Sequence, residues 1–273
     1  MRSVARLVAS GTRLATRTSV RGFVPYPPIS RHGVIGDRRT AALVAADGTL
    51  DWLCLPDYVD EPVFASLVDV QRGGWWRMGP ALPSLGRQQF VDDTPVLVTS
   101  WTREGVALEL SDAMPWPQER RPDTDEGRRV VVEGRRVVVR RLCCLRSEAD
   151  CAIDVVPRDM LVPDLRIERD RSGFSIRLLG RRDVRSLGLW STRELRVEEG
   201  GTRVSARFRL REGECAWVVF AVDESPARWS VGAAEEALRA SLRSWREWVS
   251  RFDVRGSHAR AVKRSLVTMH LLG

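Results

Sequence analysis

The sequence has little lysine, tyrosine and histidine, and it lacks several common enzyme motifs. Its 273 residues include one lysine, two tyrosines and three histidines. It has no Gly-x-Gly-x-x-Gly fingerprint, no Walker loop and no Gly-x-Ser-x-Gly elbow, which argues against a dinucleotide enzyme, an NTPase or an α/β-hydrolase. No apolar run approaches the roughly 18 residues that a membrane-spanning helix needs, so we expect no membrane contact.

Cysteine is sparse, and its spacing does not resemble a metal site. The five residues are odd in number and form no Cys-x-x-Cys pair: Cys54, Cys143, Cys144, Cys151 and Cys215. Cys143 and Cys144 are adjacent in an alternating run, which predicts that they face opposite sides of a strand. The three histidines have no ligand-like spacing with them. We therefore expect reduced cysteines, a cytoplasmic protein, and no metal or cofactor.

The net charge of +8 is concentrated at the N-terminus. Residues 1–36 contain six arginines and no acidic residue, whereas the rest of the chain has 38 basic against 36 acidic residues. Residues 1–24 are predicted to be an Arg-rich disordered tail, and an organellar transit segment is the alternative. Because the remainder is nearly balanced and has no recognition motif, we expect no nucleic-acid partner.

Residues 25–230 have the pattern of an antiparallel β-sandwich. Apolar runs of five to eight residues alternate with glycine-containing turns, at Asp47-Gly48, after Thr102 and at Glu133-Gly134. The alternation in VSARFRL, residues 204–210, indicates a sheet with one solvated face. Many strands without intervening helices favour a mainly β fold.

Two helices are predicted to follow the strands. Leu238, Leu242, Trp245 and Val249 share one helical face, which predicts a linker helix within residues 231–255. Arg255-Gly256 ends it, and Ser257 is expected to cap a second helix over 256–273. That helix is still apolar at Gly273, and we expect it to begin a further domain rather than to pack on what precedes it.

The first hairpin region is rich in carboxylates and raises the question of an active site. Its acids are Asp37, Asp47, Asp51, Asp57, Asp60 and Glu61. Paired carboxylates are what glycoside hydrolysis requires. Each acid also has a structural interpretation, such as a side-chain turn at Asp37 or the Asp-Gly bend at Asp47. The pair Trp75-Trp76 either offers a stacking surface to a sugar or, as we favour, places at least one of its side chains in the core.

A series of short motifs runs along the chain. They are Tyr26-Pro27-Pro28-Ile29, Ile35-Gly36-Asp37, Asp47-Gly48, Asp51-Trp52-Leu53-Cys54-Leu55-Pro56, Arg72-Gly73-Gly74-Trp75-Trp76, Asp93-Thr94-Pro95 and Asp112-Ala113-Met114-Pro115, with Trp245-Arg246-Glu247-Trp248 near the end. In order and spacing these motifs resemble the N-terminal region of glycoside hydrolase family 15, the bacterial glucoamylase and trehalase-like enzymes. The resemblance covers nearly the whole chain after residue 24.

The resemblance implies a large β-sandwich, a linker helix and an (α/α)₆ barrel that carries two catalytic glutamates. By this comparison, residues 256–273 are the truncated first helix of the barrel. We therefore expect no catalytic residue in this chain. The implied partners are an α-glucoside substrate in the full-length protein and the barrel, which would pack on the sandwich.

One departure from the family motif gives the candidate site residues. Where the family usually has Pro-Arg-Phe-Asp-Ser-Pro, this chain has Asp57-Tyr58-Val59-Asp60-Glu61 after Pro56. If this loop approaches the barrel, Asp57, Tyr58 and Asp60 are candidates for contact with the substrate.

Three functions follow as hypotheses. The first is the non-catalytic scaffold of an inverting hydrolase of trehalose or α-gluco-oligosaccharides. The second is a stand-alone carbohydrate-binding module that uses exposed tryptophans. The third is a partner-binding remnant whose last helix docks another chain and protects Leu266, Met269 and Leu272.

Overall fold

The computed structural model describes residues 22–115, 136–158, 165–178, 186–198 and 201–273. The strands within these residues are β1 (His32–Gly36), β2 (Ala41–Ala45), β3 (Thr49–Cys54), β4 (Pro62–Phe64), β5 (Trp75–Pro80), β6 (Arg87–Phe90), β7 (Leu97–Arg103), β8 (Val106–Ala113), β9 (Val137–Arg146), β10 (Glu148–Val156), β11 (Leu165–Asp170), β12 (Gly173–Leu178), β13 (Leu187–Ser191), β14 (Arg196–Val197), β15 (Val204–Arg211) and β16 (Cys215–Val222). Two helices follow, α1 (Val231–Ser250) and α2 (Ala259–Leu271).

The described strands form two antiparallel sheets. Sheet A has the order β1-β2-β3-β5-β10-β15-β14, with β4 paired to β3, and sheet B has the order β11-β12-β13-β16-β9-β8-β7-β6. The inner faces meet in one large apolar core that includes Trp76, Met78 and Phe220. The predicted mainly β, antiparallel fold is confirmed.

Two of the predicted turns are formed as expected. β2 and β3 are joined at Asp47-Gly48, where Gly48 has φ +82° and a Cβ atom would lie 2.2 Å from the Met78 carbonyl oxygen. β7 and β8 are joined at Glu104-Gly105, both with positive φ. Positive φ is what tight hairpin turns require. The predicted bend at Glu133-Gly134 lies outside the described residues.

Two cysteines are paired, which corrects the expectation that the cysteines are reduced. Cys143 and Cys215 lie opposite each other on β9 and β16 and form a disulfide, with their Cα atoms 4.1 Å apart. Cys54, Cys144 and Cys151 are free and buried. Their pairing depends on strand register across 72 residues, which cysteine spacing alone does not fix. The prediction that Cys143 and Cys144 face opposite sides is confirmed, since Cys144 lies in the inter-sheet core.

Helix α1 covers the outer face of sheet B. The Ser230 side chain caps it by accepting from the Ala233 N–H, and Ala234 and Leu238 pack with Trp217 and Trp229. Further along α1, Trp245 and Val249 contact α2. The predicted apolar stripe is therefore present, and its two halves face different partners. None of the described helices is long and apolar enough to span a membrane.

Helix α2 differs from the prediction in its cap and in its packing. Its N-cap is His258, without a side-chain hydrogen bond, so the expected Ser257 cap is wrong. The expectation that it packs on nothing is also wrong: Val267 and Leu271 are buried against Ala41 and Trp245. At Gly36, a Cβ atom would lie 2.9 Å from the Leu271 side chain. The absence of a side chain at residue 36 therefore lets the helix approach β1 closely.

Candidate functional site

The buried acids of the first hairpin are bound to nearby backbone groups. Asp37 Oδ1 accepts hydrogen bonds from the backbone N–H groups of Arg39 and Thr40, both at 3.0 Å. Burial raises the pKa of Asp37, although these hydrogen bonds oppose the shift. The N–H groups of a turn are the usual partners of an aspartate that closes it. The structural interpretation of Asp37 is therefore confirmed.

Asp47 has a similar role and also holds an N-terminal segment. Its Oδ1 accepts from the Thr49 N–H at 3.0 Å, and its Oδ2 accepts from the Val24 N–H at 2.7 Å. The first bond belongs to the β2–β3 turn, and the second ties residue 24 to the sheet. Both carboxylate oxygens are thus used within the fold, and Asp47 is fully buried.

Asp51 forms a buried pair with His32. His32 Nε2 lies 2.8 Å from Asp51 Oδ2, and His32 Nδ1 lies 3.1 Å from the Pro28 carbonyl oxygen. Both side chains are almost completely buried, with 1% and 4% exposure. Burial raises the pKa of Asp51, and the hydrogen bond and charge of His32 only partly offset that rise. Burial alone would lower the pKa of His32, but the hydrogen bond and charge of Asp51 outweigh it and raise that pKa.

The three candidate residues from the divergent loop lie close together. Asp57 accepts two hydrogen bonds from the Arg39 guanidinium, at 2.9 and 3.2 Å, and lies 3.5 Å from Arg136. The backbone N–H of Asp57 donates to Asp60 Oδ2 at 2.8 Å. Two arginines and a turn therefore fix the Asp57 and Asp60 carboxylates, and the loop has a defined shape on this surface.

Tyr58 connects the loop to the C-terminal helix. Its hydroxyl donates to the Leu271 carbonyl oxygen at the end of α2, at 3.1 Å. Burial and the charge of Asp37 raise the pKa of Tyr58 to about 12, so the hydroxyl keeps its proton at neutral pH. Val59 next to it is 94% exposed, and Met269 and Leu272 on α2 are 63% and 51% exposed. We call Tyr58, Val59, Met269 and Leu272 the rim patch.

A buried ion pair between the sheets was not predicted from the sequence. Arg140 on β9 donates to Asp112 Oδ1 at 2.7 Å, to the Trp76 carbonyl at 2.9 Å and to the Gly48 carbonyl at 2.8 Å. Both charged side chains have 0% exposure. Arg140 and Asp112 belong to sheet B, whereas Trp76 belongs to sheet A and Gly48 to the turn between strands β2 and β3 of that sheet. The Asp112 of the Asp-Ala-Met-Pro motif therefore helps Arg140 to connect the two sheets.

The tryptophans do not form an exposed sugar platform in the described part of the chain. Trp76 lies in the inter-sheet core, and Trp75 is 7% exposed beneath Phe23, with ring centroids 4.6 Å apart. The nine described tryptophans are all buried or half-buried. The core interpretation of Trp75-Trp76 is confirmed, and the binding-module hypothesis loses its expected contact residues.

The described residues contain no group of three or more His, Cys, Asp or Glu side chains arranged to hold a metal ion. The contacts of the hairpin and loop residues close turns, hold residues 24 and 28, and join the loop after β3 to α2.

Comparisons with known proteins give a consistent result. Residues 16–141 match the family model described as "Trehalase-like, N-terminal". The trehalase of Thermoplasma volcanium is 29% identical over 253 residues, which cover 90% of this chain and 38% of that protein. The trehalase of Mycolicibacterium smegmatis is 24% identical over 254 residues, again 90% and 38%. The trehalase of Mycobacterium tuberculosis is 23% identical over 236 residues, 83% of this chain and 34% of that protein. The chain thus spans less than two fifths of the length of these relatives.

Proposed function

We propose that this chain, which carries the trehalase-like N-terminal β-sandwich of glycoside hydrolase family 15, is the non-catalytic scaffold region of an α-glucoside hydrolase. The family resemblance seen in the sequence is confirmed by the trehalase-like family match and the trehalase relatives. The finer points are our proposal: the substrate is trehalose or an α-gluco-oligosaccharide, the reaction inverts the anomeric carbon, and this region supplies no catalytic group.

The observation that carries the non-catalytic role is the state of the buried acids. All five buried carboxylates among the described residues have partners in the fold: Asp37, Asp47, Asp51, Asp112 and Asp154. An inverting glycosidase needs one protonated acid and one base about 6.5–9.5 Å apart, with room for water between them. Carboxylates already bound to arginine, histidine or backbone N–H groups do not meet that need.

The rim patch supports the second part of the proposal, that a catalytic barrel packs on this surface. Tyr58 links the loop to the last turn of α2, and the patch presents Val59, Met269 and Leu272 to solvent. Grouped exposed apolar side chains are typical of surfaces that another element covers. In this arrangement the carboxylates of Asp57 and Asp60 stand beside the edge of the substrate site.

The domain boundaries and the cytoplasmic location stay predictions. The Cys143–Cys215 disulfide is of a kind that persists in oxidising compartments.

A chimera tests the scaffold role. This chain replaces the matching 253 residues of the Thermoplasma volcanium trehalase, and trehalose hydrolysis is measured by glucose release. We expect an active enzyme. We also expect Met269→Glu to lower activity strongly, because it places a charge in the covered patch, whereas the matched exposed residue Leu145, 54% accessible, tolerates the same change. A folded but inactive chimera contradicts the proposal, as does equal activity of the two variants.

A further inference from the structure

A cleft on the outer face of sheet B lies apart from the rim patch. It has a volume of about 670 Å³, within the range of small-molecule sites. Helix α1 covers the part of this face around Trp217, and the cleft occupies the neighbouring part, between strands β6–β8 and the first turns of α2. Gln89, Phe90, Asp93, Glu109, Arg260 and Lys263 are among its lining residues.

Ion pairs hold the two walls of the cleft in place. Arg246 of α1 donates to Asp92 Oδ2 at 2.7 Å, and Lys263 Nζ of α2 lies 3.7 Å from Asp93 Oδ2. Arg264 donates to the Thr94 carbonyl at 2.8 Å and lies 4.0 Å above the Phe90 ring. Both helices are thus fastened to the β6–β7 turn. The cleft is formed before any ligand arrives, so binding costs little reorganisation.

Glu109 is an acidic residue of the cleft whose side chain has no partner among the described residues. It lies in the middle of β8, half-buried, opposite Ser100 on β7 and Cys143 on β9. Within the described residues its carboxylate has no hydrogen bond or ion pair, and the same holds for the side-chain amide of Gln89 on β6. Other acids of this region, such as Asp92 and Asp93, are paired. A half-buried carboxylate without a protein partner keeps its acceptor capacity for a ligand.

The chemistry of the lining selects a neutral ligand rich in hydroxyl groups. The lining has three carboxylates, Asp92, Asp93 and Glu109, and two cations, Arg260 and Lys263. Arg246 and Arg264 lie beside it, so neither an anion nor a cation is strongly favoured. Carboxylate and amide groups together accept from and donate to hydroxyls, and the half-buried Phe90 side chain offers apolar surface to C–H groups.

We propose that this cleft is a non-catalytic carbohydrate-binding subsite, in which Glu109 and Gln89 bind the hydroxyl groups of an α-glucoside. The choice of an α-glucoside among neutral sugars rests on the proposed function, whereas the cleft and its unused polar groups do not. The subsite holds the sugar between sheet B and the first turns of α2.

The chain's one lysine lies in the cleft and provides a local reporter. Selective ¹⁵N-lysine labelling of the full 273-residue chain gives one backbone amide signal, from Lys263. We expect that signal to shift saturably on titration with trehalose or maltoheptaose, and the two sugars distinguish a disaccharide from an oligosaccharide ligand.

We expect Glu109→Gln or Gln89→Ala to weaken binding, by about tenfold or more for the charged group. Glu104→Gln, at the exposed tip of the same hairpin, should bind like the wild type, and thermal unfolding confirms that each variant is folded.

Three results overturn the subsite. The first is a Lys263 signal that does not move with either sugar. The second is a signal that moves with sodium sulfate but not with sugar. The third is that the Glu109 and Gln89 variants both bind as tightly as the wild type. These failures leave the scaffold role intact, because the chimera tests that role by hydrolysis and not by binding at this cleft.

Discussion

The two sheets are covered on their outer faces in different ways. Sheet B is covered by helix α1 through apolar contacts such as Leu238 with Trp217. On sheet A, the segment before β1 lies over the outer face with one apolar contact, Phe23 on Trp75, and one polar contact, Val24 to Asp47. The buried pair of His32 and Asp51 adds a second polar contact at the start of β1. An apolar cover depends on burial area and is insensitive to pH, whereas a polar cover depends on protonation and on complete pairing.

The largest loss of stability is expected from a change at the buried ion pair that connects the two sheets. Arg140→Met leaves Asp112 buried without its cation and removes the bonds to Trp76 and Gly48, so we expect a loss of about 3–5 kcal/mol in the free energy of unfolding. Urea unfolding measures it. The double variant Arg140→Met/Asp112→Leu should recover much of the loss, because no unpaired charge remains. A single variant within about 1 kcal/mol of the wild type contradicts this account.

Removing an apolar contact under α1 sharpens the comparison from the side of sheet B. Leu238 is 6% exposed, and Leu238→Ala is expected to cost about 2–5 kcal/mol, by the same amount at pH 6 and at pH 8. The control is Leu145→Ala, at a 54% exposed position, which we expect to change stability by less than about 0.5 kcal/mol. A Leu238 effect that changes with pH argues against an apolar cover.

The polar cover of sheet A should make stability depend on pH. Folding raises the pKa of His32, so its contribution is complete below the ordinary histidine pKa of about 6.5 and is lost as pH rises through the raised value. Burial likewise raises the pKa of Asp51, so its deprotonation also lowers stability as pH rises. We expect the free energy of unfolding to fall as pH rises above the ordinary histidine pKa of about 6.5.

His32→Gln should remove most of that slope and cost about 1–3 kcal/mol, because it weakens the pairing of a buried carboxylate. His258→Gln, at an exposed histidine, is the control and should keep the wild-type slope. An unchanged slope in the His32 variant shows that another group titrates.

The smallest effect is expected at the link between the loop and α2. Tyr58→Phe removes one hydrogen bond to the Leu271 carbonyl, and we expect a loss of about 0.5–1.5 kcal/mol. Hydrogen exchange of the last turn of α2 should quicken in this variant, while exchange in the middle of α1 should not. Equal exchange of the last turn of α2 in the variant and the wild type would mean that the hydrogen bond does not hold α2.

The predictable parts of the molecule were those governed by local pattern. Alternation gave the strands, Asp47-Gly48 and Glu104-Gly105 gave the turns, and the spacing of Leu238 and Trp245 gave α1. Partners far apart in sequence were not predictable. Cys143 pairs with a residue 72 positions away, and Arg140 binds a carbonyl 92 positions away.

The candidate site was predicted to a similar extent. The loop at Asp57, Tyr58 and Asp60 stood out because its residues depart from a family motif. The partners of this loop did not stand out, because Leu271 is 213 positions from Tyr58 and no motif near Leu271 indicates the contact. No motif in the sequence marks Glu109, and only the arrangement of β6–β8 against α2 gives it a cleft.

The most direct test of the central claim is a hydrolysis assay on the pure 273-residue chain. Glucose release from trehalose and from maltoheptaose is followed for hours at high protein concentration, with a trehalase relative as the positive control. We expect no release above a buffer blank if, as we propose, this region supplies no catalytic acid and base. Turnover that follows the purified chain through a second column contradicts the account.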